Sequence, residues 1–340
     1  VIASLAWRNL WRQPRRTLLS SLAIAFVTIF LIFMPSFQNG AYNAMIENTL
    51  RLFDGYAEVQ APGYHNDPQI RTTIDDPQSL LARLRALPGV GTASPRALSY
   101  ALLSAAGHSY GAQIVGVEPK SERGVSTIPR DVHQGRYLRG LNSGEIVLGK
   151  TLAQNLHLHL GDRVTLLGLG RDGSLAADSL KLVGIFHTGI QDMDRLVAEM
   201  PLGRFQDTFS MPNQIHVIAL GGTTLSTLQD SLPDIEGIAK RDGLVTLDWK
   251  QLQPGLLQGI LLDMSTGVMI YLAMVAVVAF SLLNSLLMSV LERTREFGML
   301  MALGMRPGAI GRLVWLETLF MLVLGLVLGM TLGYAITQYV

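Results

Sequence analysis

Residues 267–291 read GVMIYLAMVAVVAFSLLNSLLMSVL, a run without one charged side chain. A helix rises about 1.5 Å per residue, so about 20 such residues suffice to cross the ~30 Å hydrocarbon core of a bilayer. This stretch decides the fold class, and its pattern recurs on either side. Thr17 to Phe37, TLLSSLAIAFVTIFLIFMPSF, is equally free of charge, and 313–340 carries only Glu317. The reading is therefore three membrane spans, at 17–38, 267–291 and 313–340. The first exceeds the usual ~7–15 residue core of a signal peptide and no A-x-A cleavage site follows it, so an uncleaved anchor is expected.

Basic residues set the orientation. Arg8, Arg12, Arg15 and Arg16 precede the first span, and Arg293, Arg295, Arg306 and Arg312 lie between the second and third. Residues 1–16 and 292–312 are thus expected in the cytoplasm, and 39–266 on the far side as one large extracytoplasmic domain. That domain holds 19 Lys/Arg and 23 Asp/Glu, a net charge of −4, within a chain of 340 residues whose overall charge is +1. The remaining +5 falls to the membrane portion, and no nucleic-acid partner is expected. The chain has no cysteine, which excludes disulfides, thiol catalysis and cysteine-held metals.

The domain reads as α+β. In DDPQSLLARLRALPGV, Asp76 is placed to cap a helix, Pro77 suits its first turn, and Leu80, Leu81, Leu84 and Leu87 share a face. A strand-rich run follows, and a similar unit returns as NQIHVIAL, TTLSTLQDSL and GLVTLDW. The layout expected is a split β-α-β subdomain with a mostly β subdomain inserted at 121–211. The insert contains GEIVLGKT (144–151), a literal match to the phosphate-loop pattern G-x-x-x-x-G-K-[ST]. The match fails on context: Glu145 to Leu148 are strand formers standing where the loop should be, RYLRGLNS before them is turn-like, and the segment faces away from cytoplasmic ATP. His157 and His159, with Asp192 and Asp194 downstream, raise a metal site. Alternation along a strand explains the histidines as well, with Leu156, Leu158 and Leu160 facing the core. No catalytic motif, metal site or cofactor site is read in the domain.

The cytoplasmic segment LERTREFGMLMALGMRPGAIGRLVWLETLF (291–320) extends the second span, turns amphipathic, breaks at Arg306-Pro307-Gly308 and re-enters the membrane. It is either an interfacial helix or a docking element, with Phe297, Leu300, Met301 and Leu303 as an apolar knob and Arg293, Arg295 and Glu296 around it. Phe297 and Leu300 are the expected anchors, and Arg295 and Glu296 the pair that fixes register. In the third span Gly325, Gly329 and Gly333 recur every four residues, a face for close helix packing. Glu317 in the same span requires a polar partner.

ERTREFGMLMALGM resembles the coupling segment of the MacB/FtsX-type permeases of ATP-binding-cassette (ABC) systems, which include the LolC and LolE lipoprotein-releasing proteins. The amino-terminal LAWRNLWRQPRRTLLS, GEIVLGKTLAQNLHLHLGDRVTL, LVGIFHTGIQDMD and the glycine-spaced last span carry the same likeness. The resemblance implies a non-catalytic subunit of a bacterial inner membrane, its large domain in the periplasm. Its partners would be cytoplasmic ABC ATPase subunits, a second copy or paralogous permease, membrane lipid, and a periplasmic or outer-membrane protein. ATP and Mg²⁺ would sit in the partner ATPase, with Glu296 to Met305 contacting it. The implied activity is mechanotransmission that moves a lipid, lipoprotein or other hydrophobic substrate, or in the FtsX manner switches on an extracytoplasmic enzyme. The family pattern also predicts a fourth span beyond Val340. The connection LGLGRDGSLAADSLK, where LolC-type proteins project a chaperone-receiving hairpin, is short and lacks aromatics and prolines.

Overall fold

In the computed structural model, which describes residues 2–12 and 14–338, the chain divides into a helical unit (residues up to Ala44 and from Gln258 onward) and a sheet unit, Met45–Leu257. Among the described residues three helices are long and apolar enough to cross a membrane: Pro14–Leu52, Pro254–Glu292 and Pro307–Thr337. They are termed the first, second and third span helices. The first two run past the apolar stretches that announced them at both ends, and the third at its start, because polar turns there continue the same backbone hydrogen bonding. Two short helices, Ile2–Leu10 and Thr294–Ala302, complete the helical unit.

The three spaced glycines of the third span helix press against the first. A Cβ at Gly325 would stand 2.6 Å from Ile24 Cβ, and one at Gly329 would stand 2.5 Å from Thr28 Cβ and 2.9 Å from the Ala25 carbonyl oxygen. At Gly333 the nearest atom would be Ile32 Cδ1 at 3.3 Å, so the helices diverge slightly there. Lipid tails are as apolar as leucine, so span helices associate by close packing, which these missing side chains permit. Ser21 Oγ adds a bond across the seam to the Met321 carbonyl, 3.3 Å.

The sheet unit is built on twelve strands: β1 (Ala57–Gln60), β2 (Ile74–Asp75), β3 (Thr92–Ala105), β4 (His108–Val117), β5 (Val132–Gly135), β6 (Glu145–Gly149), β7 (Arg163–Leu169), β8 (Leu175–Phe186), β9 (Val197–Pro201), β10 (Gln214–Ile215), β11 (Val217–Gly221) and β12 (Val245–Asp248). Ten form one sheet, with path β12-β1-β11-β3-β4-β9-β6-β8-β5 and β7 paired to both β3 and β8; β2 and β10 pair separately. The 121–211 insert is not a separate sheet. Its strand β9 runs parallel to β4, with Ile114 opposite Ala198, and β7 runs antiparallel to the outer half of β3. A long hairpin such as β3–β4 has more backbone donors than its own two strands satisfy; β11 takes up those of the inner half of β3, and the insert those of its outer half and of the end of β4.

Around the sheet, Leu80, Leu81 and Leu84 of helix Gln78–Arg85 are buried as their spacing predicts, while Leu87 is half-buried. Asp76 does not cap that helix. It sits at φ +50°, and Pro77 takes the cap position without a side-chain bond. Reciprocal capping boxes instead start two later helices, Thr224 with Thr227 and Asp248 with Gln251.

Candidate functional site

The second span helix ends at Glu292, and Arg293 breaks it before Thr294 starts the short helix. That helix closes as a Schellman turn: Met305 N bonds to Leu300 O across Gly304, whose φ of +95° suits only glycine. Arg306 then runs extended, and Pro307 opens the third span helix at its first turn, where no N–H is required.

Arg293 holds this corner together. Its Nη1 donates to both oxygens of Glu317, at 3.1 and 3.0 Å, its Nε donates to Glu296 at 3.1 Å, and its guanidinium lies 5.2 Å from the Phe297 ring centroid. Glu317, whose partner the sequence could not name, also accepts from Asn9 Nδ2 at 2.7 Å. Arg12 reaches Glu296 at 3.3 Å, and the hydrogen bond from Arg293 holds the Glu296 carboxyl below the usual carboxylate range. Trp7 packs edge-on against Phe320, 5.8 Å between centroids, so the amino-terminal helix lies along the third span helix. One carboxylate thereby ties the amino-terminal helix, the corner and the third span together.

This geometry splits the expected docking residues into two faces. Phe297 is only 6% exposed, closed in beneath Arg293, and Leu300 and Met305 are half-buried. Phe297 therefore does not present an anchor to a partner, contrary to expectation: amphipathic spacing marks an apolar stripe but not which neighbour covers it. The outward face consists of Arg295, Met299 (62% exposed), Met301 and Leu303 (79% exposed). Met299 is a residue the sequence reading missed. Its i+4 spacing from Arg295 and to Leu303 was the available signal.

The phosphate-loop match has a structural explanation. Glu145–Gly149 is strand β6, its residues Ile146, Val147 and Leu148 fully buried and paired to β8 and β9. Its backbone N–H groups are spent in the sheet. Gly149 is glycine because a Cβ there would stand 2.4 Å from the Asp194 carbonyl oxygen, not because a phosphate approaches. His157 and His159 lie in a turn after helix Lys150–Asn155, not on a strand; His157 has φ +55° and stacks on His108 at 4.4 Å, and Leu160 is exposed. Asp194 instead accepts from His187 Nδ1 at 2.5 Å and from Thr188 N at 2.9 Å. Among the described residues no three His, Asp or Glu side chains are grouped to hold a metal. The 170–174 connection is a tight β7–β8 turn closed by Gly170 N to Ser174 O.

Two family profiles match the chain. The profile of the MacB-like periplasmic core domain matches residues 17–235, and that of the FtsX-like permease C-terminal region matches 268–340. The chain belongs to this family of MacB-like, FtsX-like permeases. It is 25% identical over 335 residues to the lipoprotein-releasing system transmembrane protein LolC of Neisseria meningitidis, covering 95% of this chain and 78% of that one. It is 24% identical to LolE of Haemophilus influenzae over 94% of this chain and 78% of the relative. Among solved structures, the periplasmic region of MacB from Actinobacillus actinomycetemcomitans overlays with a TM-score of 0.44 at 12% identity, covering 62% of this chain and 97% of that one.

Proposed function

We propose that this chain is the membrane permease subunit of an ABC transporter that passes ATPase motion to a periplasmic domain and so extracts or moves a lipidated protein or related lipid. The names of the relatives supply the substrate class. The site supplies the coupling route, and its carrying observation is the corner around Arg293. A coupling element must be exposed on one face and rigidly seated on the other, because a loose lever absorbs the motion it receives. Arg295, Met299 and Leu303 form the exposed face, two flexible apolar side chains beside a charge that sets register. Phe297, Arg293 and Glu317 form the seat.

In this reading the amino terminus and the 292–312 corner are cytoplasmic, the inner membrane holds the three spans, and ATP with Mg²⁺ is bound by the partner ATPase. A second permease chain, identical or paralogous, completes the assembly. Glu317 serves as a positioning residue, fixing the corner against the third span.

The test is a Met299→Ala, Leu303→Ala double variant purified with its ATPase partner. Loss of ATPase binding, or of its stimulation, with unchanged membrane insertion and unchanged protease resistance of the sheet unit supports the reading. Wild-type binding and transport would return the short helix to a plain interfacial role.

A further inference from the structure

On one face of the sheet, Gln60 of β1, Val217 of β11 and Arg96 of β3 stand side by side in register, and Leu98 and Tyr100 continue the row outward along β3. The loop 61–73 arches over them. His216 pins this loop, its Nε2 donating to Ile70 O at 3.1 Å while its Nδ1 accepts from Leu98 N at 2.9 Å, and its ring stacks on Tyr64 at 5.1 Å. Between loop and sheet lies a cleft of about 360 Å³, within the range of small-molecule sites. Phe53 and Asp54 close one side, and exposed Tyr100 stands at the mouth.

Two donors on residues lining this cleft lack hydrogen-bond partners. Gln60 and Arg96 are each 1% exposed, yet Gln60 Nε2 and Arg96 Nη1 make no hydrogen bond. Buried donors are almost always satisfied, and each one left open carries a desolvation penalty. The remaining guanidinium atoms are engaged: Arg96 Nη2 and Nε donate to Glu122 at 2.5 and 3.1 Å. Glu122 therefore cancels the charge of Arg96 without using its last donor. Asp54, bonded to Gln253 at 2.5 Å, and partly buried Glu58 add acidic groups to the same walls. Burial keeps Glu58 protonated up to about pH 8, and Glu122 already cancels the charge of Arg96, so an anion would meet no uncompensated cation. A cation would meet two donors. An uncharged acceptor oxygen fits both.

We propose that this cleft binds an uncharged acyl ester or amide, whose carbonyl oxygen accepts from Gln60 Nε2 and Arg96 Nη1 while its hydrocarbon lies along Tyr64, Ile70, Leu98 and Tyr100. This deepens the permease reading by giving the periplasmic domain its own contact with acyl substrates, and it rests on that reading only for the side of the membrane. Because binding requires no ATPase, failure here would leave the coupling proposal untouched.

The experiment uses the full chain in lipid nanodiscs and a photoreactive 1-octanoylglycerol with a diazirine at the chain end, crosslinked and mapped by peptide mass spectrometry. Labelling is expected in 61–73 and at Leu98–Tyr100, competed by unlabelled 1-octanoylglycerol and about tenfold less well by octanoate, the corresponding anion. Gln60→Leu removes the open donor at similar volume, so labelling should fall about tenfold while the melting temperature does not fall. Tyr100→Ala, at an exposed position, should lower labelling without affecting folding. Labelling confined to the span helices, labelling unchanged in Gln60→Leu, or octanoate competing as well as the ester would each overturn the proposal.

Discussion

Arg96 and Glu122 meet within the sheet unit with 1% and 0% of their side chains exposed, whereas Arg293 and Glu317, at the corner of the helical unit, retain 14% and 10%. The two pairs have the same chemistry but different surroundings. Glu122 takes two bonds from Arg96 and one from Ser94 Oγ at 2.9 Å, all within one piece of the sheet unit. Arg293 and Glu317 instead divide their bonds among Asn9, Glu296 and each other, and so connect three separate segments. The first pair is a closure inside a domain. The second is a joint, and its value lies in the position it gives the short helix.

The largest separation between them is expected on removing one acid from each. Glu122→Ala leaves a guanidinium buried and unpaired, a loss of about 3–5 kcal/mol, and should appear as a lowered melting temperature and early proteolysis of the sheet unit. Glu317→Ala frees the joint and should instead lower ATPase stimulation while the sheet unit melts as in wild type. Equal loss of sheet stability in both would erase the distinction.

Next in size is the glycine seam that keeps the third span helix beside the first. Gly329→Leu should cost about 1–3 kcal/mol of packing, seen as reduced detergent stability of the membrane unit. Gly333→Ala should be milder than Gly329→Ala, because its Cβ would meet Ile32 at 3.3 Å rather than Thr28 at 2.5 Å. An inverted order would show that the seam closes differently.

A titration sharpens the comparison on the sheet side. Burial pushes His216 down to about 4, from 6.5. The unfolded chain then binds the extra proton between those values, so the stability His216 contributes is full above pH ~6.5 and is lost as pH falls toward 4. Glu58 and Glu199, both pushed up to about 8 mainly by burial, act in the opposite sense: their contribution declines as pH rises from 4.5 to 8. The difference between wild type and His216→Gln isolates the histidine. The variant's melting temperature should fall less than that of wild type between pH 7 and pH 4.5.

The smallest effect belongs to an exposed ion pair beside the corner. Arg12 and Glu296 are 62% and 42% exposed, and such pairs contribute about 0–1 kcal/mol. Arg12→Ala should leave melting and insertion unchanged within error.

What the sequence revealed, and what it did not, follows the range of the interactions involved. Uncharged runs mark the spans because transfer into lipid is a property of each residue summed locally. Glu145 to Leu148 reveal a strand for a similar local reason, and that settles the phosphate-loop match. The spaced glycines reveal a packing face but not that its neighbour is the first span of the same chain. Cap and turn geometry was less accessible: Asp76 and His157 adopt positive φ, which their residue types permit but do not announce. Partners distant in sequence were hidden. Nothing local pairs Arg293 with Glu317, joins β9 to β4, or tells that Arg293 covers Phe297 while Leu303 is left in the open.

That last contrast carries the account, and the absence of cysteine from the chain makes it directly measurable. Single cysteines placed at Leu303 and at Phe297 can be challenged, in membranes containing the ATPase partner, with a short thiol-to-amine crosslinker. A crosslinked permease–ATPase product is expected from Leu303→Cys that weakens when nucleotide changes the ATPase conformation, and little or none from Phe297→Cys. Efficient crosslinking from position 297 with none from 303 would contradict it, and would place the docking face on the side of the helix here assigned to the seat.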